Sequence, residues 1–282
     1  MNKPEALKKI VAEAKLGELT FPTNVHATLK IQEALNDPEC GIEAASKLVM
    51  QDPIVAVRVV AIANSIAYSR FGGGVTNVRT AITILGFNTL RSVVVAVAMR
   101  QINQAIKNPK IRAKMELLWQ HSAHVAAMSH LLARKVSKID PETALFAGIV
   151  HEIGGFYLLA RADEFPSLQE NHDCAIEDEL DEDHEIYIGR AVLRQLLVPK
   201  RVVTAIETLW YGTLAMPPET LGDTLLLANE LTTLASPLDN RSENIIAETA
   251  ASIDCELEGS TLRQILHDST DDLHSLVASL IH

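Results

Sequence analysis

Aspartate followed by proline occurs three times in this chain, at Asp37-Pro38, Asp52-Pro53 and Asp140-Pro141, and each pair punctuates a stretch of helical periodicity. An aspartate carboxylate can accept the free N–H groups of a first helical turn, and proline is tolerated at the first helical position because its missing N–H would be unbonded there. Asp52-Pro53 is followed by Ile54, Val57, Ala61 and Ile62 at helical spacing, and Asp140-Pro141-Glu142 by a run through Ala147 and His151. Asp37-Pro38 instead closes a helix expected over 25–35, since proline cannot continue a helix and disfavours the α region before it.

The remaining segments follow the same pattern. Leu7, Ile10, Val11 and Ala14 share one helical face ahead of Phe21-Pro22. A helix is expected from Thr76 to Leu85 with Gly86 as its C-terminal cap, and Asn88 as cap of the next. That next helix carries Val93–Met99, the longest purely apolar run, which reads as a buried helix because no partner strand is evident. Further helices are expected over 111–136, 185–197, 200–210 and 220–235, with two more toward the C-terminus. Alternating strands with hairpin turns are absent. The expected architecture is all-α, as two packed helical lobes: residues 1–108, then 109–238, with the polar Lys107-Asn108-Pro109-Lys110 between them and an extension over 239–282.

Composition narrows the function classes. Of 282 residues 48% are hydrophobic and only 4% aromatic, so aliphatic side chains must fill the core. The 36 acidic against 25 basic residues give a net charge of −11, which repels phosphate backbones and disfavours nucleic acid or an anionic membrane as partner. The longest apolar run is far short of the ~20 residues that span a bilayer. Cys40, Cys174 and Cys255 are isolated and read as free thiols in a reducing compartment, so a cytoplasmic location is expected. Gly72-Gly73-Gly74 lacks the Lys-Ser/Thr of a phosphate loop, and Gly-x-Ser-x-Gly does not occur. Arg58, Arg70, Arg79 and Arg91 could converge on an anionic partner or serve the surface.

Histidines are the remaining chemistry. His121 and His124 lie three apart on one expected helix, His151-Glu152 follows thirty residues later, and His184 falls within the acidic stretch Glu177–Glu185. Imidazoles and carboxylates brought together from separate helices can hold divalent cations in a helical bundle. The same histidines could equally hydrogen-bond within the bundle, since no tight motif such as HExxH is present.

The order of motifs resembles a known family. Asp52-Pro53, Ala63-Asn64-Ser65, Tyr68, Ala81-Ile82 and Leu85-Gly86, then Trp119-Gln120-His121-Ser122 and Ala147 through Gly154 with His151-Glu152, resemble the HDOD domain of bacterial signalling proteins. His184 with Gly189, and Pro199 with Ala205-Ile206, continue the resemblance, which covers about residues 15–235. It implies kinship with the HD superfamily of metal-dependent phosphohydrolases, whose histidines and His-Asp doublet hold one or two metals that activate water. His121, His151 and His184 stand at ligand-like positions. Glu152 replaces the doublet's aspartate, Leu209-Trp210 stands where HD-GYP relatives carry a histidine pair, and Asn229 stands at a later aspartate.

The resemblance therefore implies a non-catalytic signal-transduction module with a degenerate pocket and an output through a signalling protein partner. The alternative is a divergent phosphohydrolase using His121, His151, Glu152 and His184 around a divalent metal (Fe, Mn or Mg).

Overall fold

The computed structural model of the chain describes residues 2–19, 26–65, 74–169, 179–196, 198–257 and 259–281. The fold is all-α. Along the chain run α1 (Lys3–Leu16), α2 (His26–Leu35), α3 (Ile42–Val49), α4 (Pro53–Ala63), α5 (Val78–Ala105), α6 (Pro109–Leu132), α7 (Pro141–Val150), α8 (Ile153–Arg161), α9 (Glu179–Gln195), α10 (Lys200–Tyr211), α11 (Leu221–Leu231), α12 (Glu243–Ser252), α13 (Leu262–Asp268) and α14 (Thr270–Ile281). A two-residue antiparallel pair, β1 (Glu256–Leu257) with β2 (Ser260–Thr261), lies between α12 and α13.

The Asp-Pro starts form as expected. Asp52 accepts from the backbone N–H groups of Ile54 and Val55, and Asp140 from that of Thr143. Elsewhere the boundaries move for local reasons. Asn77 caps α5 by accepting from Thr80 N, so the helix begins at Val78 rather than Thr76. Gly86, at φ +74°, breaks the helix internally as expected, because an L side chain is strained in that region. Asn88 makes no cap; its Oδ1 accepts from Arg91 Nη1 at 3.2 Å. α6 starts earlier than expected, at Pro109 behind the Asn108 cap, and runs on into a π-helical turn over Ala133–Ser137. α7 stops at Val150 rather than running through His151. α9 begins before the expected 185. α3 has only Gly41 at its N-cap, with no side-chain signal in the sequence to mark it. The C-terminal region holds three helices rather than two.

Phe21-Pro22, Tyr68, Arg70, Gly72-Gly73, Cys174 and Glu177-Asp178 lie outside the described residues.

The interior is built around α5, α6 and α7. Every residue of Val93–Met99 is buried. Two stretches, Val78–Asn103 and Pro141–Arg161, are long and apolar enough to cross a membrane by composition, but 67% and 72% of their apolar windows are buried inside the fold. α6 packs most extensively on α7, and at Gly148 the two backbones touch: a Cβ there would stand 2.3 Å from Ala126 Cα. Gly154 and Gly189 allow a similar approach of α8 and α9, with 2.9 Å from a Cβ at 154 to Gly189 Cα.

The three of these arginines that are described, Arg58, Arg79 and Arg91, do not converge on one free surface. Arg58 donates to the carbonyls of Ser279 and Ile281 at the end of α14, Arg79 pairs with Glu43, and Arg91 holds the Leu35 carbonyl at the end of α2.

Candidate metal centre

Breaking the helix between α7 and α8 exposes two adjacent residues to one spot. His151 closes α7, and its Nδ1 lies 2.7 Å from the Gly148 carbonyl, so Nδ1–H donates there and Nε2 carries the lone pair. Glu152 opens α8, and its Oε1 accepts from Ser236 Oγ at 2.8 Å. His121 projects from the middle of α6, its ring centroid 5.4 Å from that of His151. One donor atom each from His121, His151 and Glu152 lie within 4.8 Å of one another.

The electrostatics follow from burial. Desolvation pushes His151 down to about 3, and the neighbouring His121 adds to this against the Gly148 hydrogen bond. Desolvation also holds His121 below its ordinary value, against the Leu234 and Asn229 hydrogen bonds. The Glu152 carboxyl is pushed up to about 7, first by desolvation, while Ser236 opposes and Asp239 reinforces the shift. Both imidazoles are thus neutral at pH 7, the form that ligates a metal.

His121 is locked on both nitrogens. Nδ1 lies 2.7 Å from the Leu234 carbonyl and Nε2 lies 3.2 Å from the Asn229 side-chain amide. A neutral His121 that donates from Nδ1 presents a lone pair at Nε2. Asn229 Oδ1 stands at that nitrogen, so ligation of a cation by His121 Nε2 requires the Asn229 side chain to turn away.

The remaining wall is the segment after α11. Arg241 donates to Glu230 at 2.8 Å and to Asp239 at 2.9 Å, so its charge is spent on two carboxylates. Leu238 presses on Gly155, where a Cβ would meet its Cδ1 at 2.2 Å. Together His121, Glu152, Asn229, Ser236, Asp239 and Arg241 line a cavity of about 200 Å³.

The residues present fit one divalent cation. His151 Nε2 and Glu152 Oε2 are buried with no hydrogen-bond partner, two orphaned donors facing one spot beside His121. Ligands about 2.1 Å from an ion at tetrahedral angles stand about 3.4 Å apart, so a pair of donors at the 4.8 Å limit would close by about 1.4 Å. Two imidazoles and one carboxylate form a donor set suited to Fe or Mn more than to Mg, which prefers all-oxygen shells.

Among the described residues His184 and His124 are not part of this group. His184 sits on α9 next to Glu185, which pairs with Lys3, and His124 Nδ1 is engaged by the Gln120 carbonyl. Trp210 lies under Arg190 and against Gly189, and so serves the α9–α10 contact. Ser236, Asp239 and Arg241 were not singled out from the sequence, because they follow no motif and reach the pocket only through the path of the loop after α11.

The HDOD domain family matches residues 21–210, and the chain belongs to that family. Solved structures share the fold. A candidate metal-dependent phosphohydrolase from Shewanella amazonensis SB2B matches with a TM-score of 0.72 and 24% identity over 99% of both chains. An HDOD domain protein of unknown function from Geobacter sulfurreducens matches at 0.58 and 21%, covering 98% of this chain and 97% of that one. A protein from Marinobacter aquaeolei VT8, named for signal transduction, matches at 0.60 and 17%, with 100% of this chain against 67% of that one. No curated protein matches the sequence.

Proposed function

We propose that this chain is a signal-transduction module whose HD-type pocket binds a single divalent cation through His121, His151 and Glu152, does not hydrolyse phosphoesters, and acts through contacts with a protein partner. The observation that carries this reading is the charge arrangement of the pocket. Only one carboxylate, Glu152, stands among the donors, and the one cationic side chain in the lining, Arg241, is already bound to Asp239 and Glu230. Phosphoryl transfer depends on positive groups or metals that receive the developing charge on the phosphoryl oxygens. A phosphoester entering here would meet one cation at most, with Arg241 already engaged and the Asp239 carboxylate on the wall. The signalling name of the Marinobacter relative supports the same direction. In this reading residues 109–238 form the sensing lobe, beside the 1–108 lobe and the 239–282 extension.

A second reading is a divergent mononuclear phosphohydrolase. It is favoured by the two orphaned donors, His151 Nε2 and Glu152 Oε2. A cation there would supply Lewis acidity and lower the pKa of a bound water. The two readings separate when the purified protein is assayed against phosphodiesters and nucleotides with Mn²⁺, Fe²⁺ or Mg²⁺. The expected result is no turnover above background. Turnover that His151→Ala abolishes would establish the enzyme instead.

A further inference from the structure

Charge pairing in this protein has a local exception. Seven described arginines, Arg79, Arg134, Arg161, Arg190, Arg201, Arg241 and Arg263, are paired with carboxylates. Five others have no carboxylate within ion-pairing distance among the described residues: Arg91 in the middle of α5, Arg194 on α9, and Arg58, Arg100 and Arg112, which gather near the end of α5 and the start of α6. Arg58 and Arg100 both reach the Ile281 carbonyl, and burial followed by the nearby charge of Arg100 holds the Arg58 guanidinium below its ordinary value. Arg58 and Arg100 thus face the negative, C-terminal end of α14, while Arg112 makes no ion pair among the described residues.

Arg100 and Arg112 border a cleft. A cavity of about 420 Å³, twice that of the histidine pocket, is lined by Arg100 and Asn103 of α5 and by Pro109, Arg112, Ala113 and Glu116 on one face of α6. Its size falls in the range of small-molecule sites, roughly 300–1,000 Å³. The first turn of the 24-residue α6 adds the positive end of its dipole. The same two helices also present acceptors to the cleft. Asn103 Nδ2 donates to Glu116 Oε2 at 3.4 Å, which leaves Asn103 Oδ1 buried with no donor. A buried acceptor left unbonded is unfavourable by about 1–3 kcal/mol and marks where a donor belongs.

We propose that the α5–α6 cleft is a binding site for a small anion that carries a phosphate or carboxylate together with a hydroxyl or amino donor. Arg112 and Arg100 receive the anionic group. Asn103 Oδ1 and the Glu116 carboxylate accept from the donor, and Glu116 disfavours a plain anion that brings no donor. The site is separate from the histidine pocket. Arg112 and His121 stand nine residues apart on α6, about 14 Å along the helix. The proposal does not depend on the cation reading.

The test is calorimetric titration of the full chain, in the presence of a chelator, with glycerol 3-phosphate and with glycerate. Saturable 1:1 binding of at least one is expected, and whichever binds more tightly identifies the anionic group. Arg112→Ala, at an exposed position, should weaken it about tenfold or more, the usual effect of losing a charge-assisted hydrogen bond. Glu116→Gln keeps a hydrogen-bond acceptor and removes the repulsion, so its affinity should equal or exceed that of the parent. His151→Ala should leave the affinity unchanged. No saturable binding of either probe, or binding that Arg112→Ala does not weaken, overturns the proposal.

Discussion

Replacing Glu152 with glutamine should change how the stability of the cation-free protein depends on pH. The Glu152 carboxyl is raised from 4.5 to about 7 in the fold, chiefly by desolvation. Below pH 4.5 the group is protonated in both folded and unfolded chains and adds no penalty. As pH rises, the unfolded chain loses its proton first, and the fold must hold either a proton against the solution or a buried anion. Stability therefore declines through this window and levels off above pH 7. A shift of about 2.5 units corresponds to about 3 kcal/mol at 1.36 kcal/mol per unit. His151 behaves oppositely. Its folded value of about 3 lies below the ordinary 6.5, so its contribution is present above pH 6.5 and is lost as pH falls toward 3. Because His151 is common to both proteins, the difference in unfolding free energy between parent and Glu152→Gln, measured by urea titration in chelator from pH 4.5 to 7.5, isolates Glu152. The parent should lose about 3 kcal/mol relative to the variant across that range. A difference that stays flat with pH would refute the claim that burial suppresses Glu152 ionisation.

Gly148→Ala should destabilise the fold by about 1–3 kcal/mol by overpacking and should weaken cation binding as well, because the added methyl pushes α7 off Ala126 of α6 and separates His151 from His121; urea unfolding and Mn²⁺ titration check this. Asp52→Ala should cost about 2–4 kcal/mol in urea unfolding, since it removes the cap on Ile54 and Val55 and strips the buried Thr28 and Gln101 of an acceptor. Divalent cation should stabilise the parent more at pH 8 than at pH 6, because metal binding needs the Glu152 proton removed.

What the sequence disclosed was mostly local. Asp52, Asp140 and Gly86 act on groups within a turn of themselves, so their effects are written in adjacent residues. α3 escaped because Gly41 offers no side chain to signal a start. The two-residue hairpin at 256–261 is too short to show any alternation. Family resemblance pointed to His121, His151 and Glu152 as one cluster, and the helix break at 151–152 supplies the physical reason: it turns two consecutive side chains into a single pocket. His184 shared that resemblance, yet it lies on α9 beside the Lys3–Glu185 pair. Asp239 and Arg241, which set the charge of the cavity, act across some 80–120 residues of sequence from Glu152 and His121, and no pattern at that range was available to find them.

The most direct test of the central claim is the number of Mn²⁺ ions bound per chain, measured by calorimetry or electron paramagnetic resonance on protein first freed of metal. The pocket built by His121, His151 and Glu152 should take one ion per chain and none in His151→Ala. Two ions per chain in the parent, or one that survives His151→Ala, would contradict a mononuclear site at this helix break.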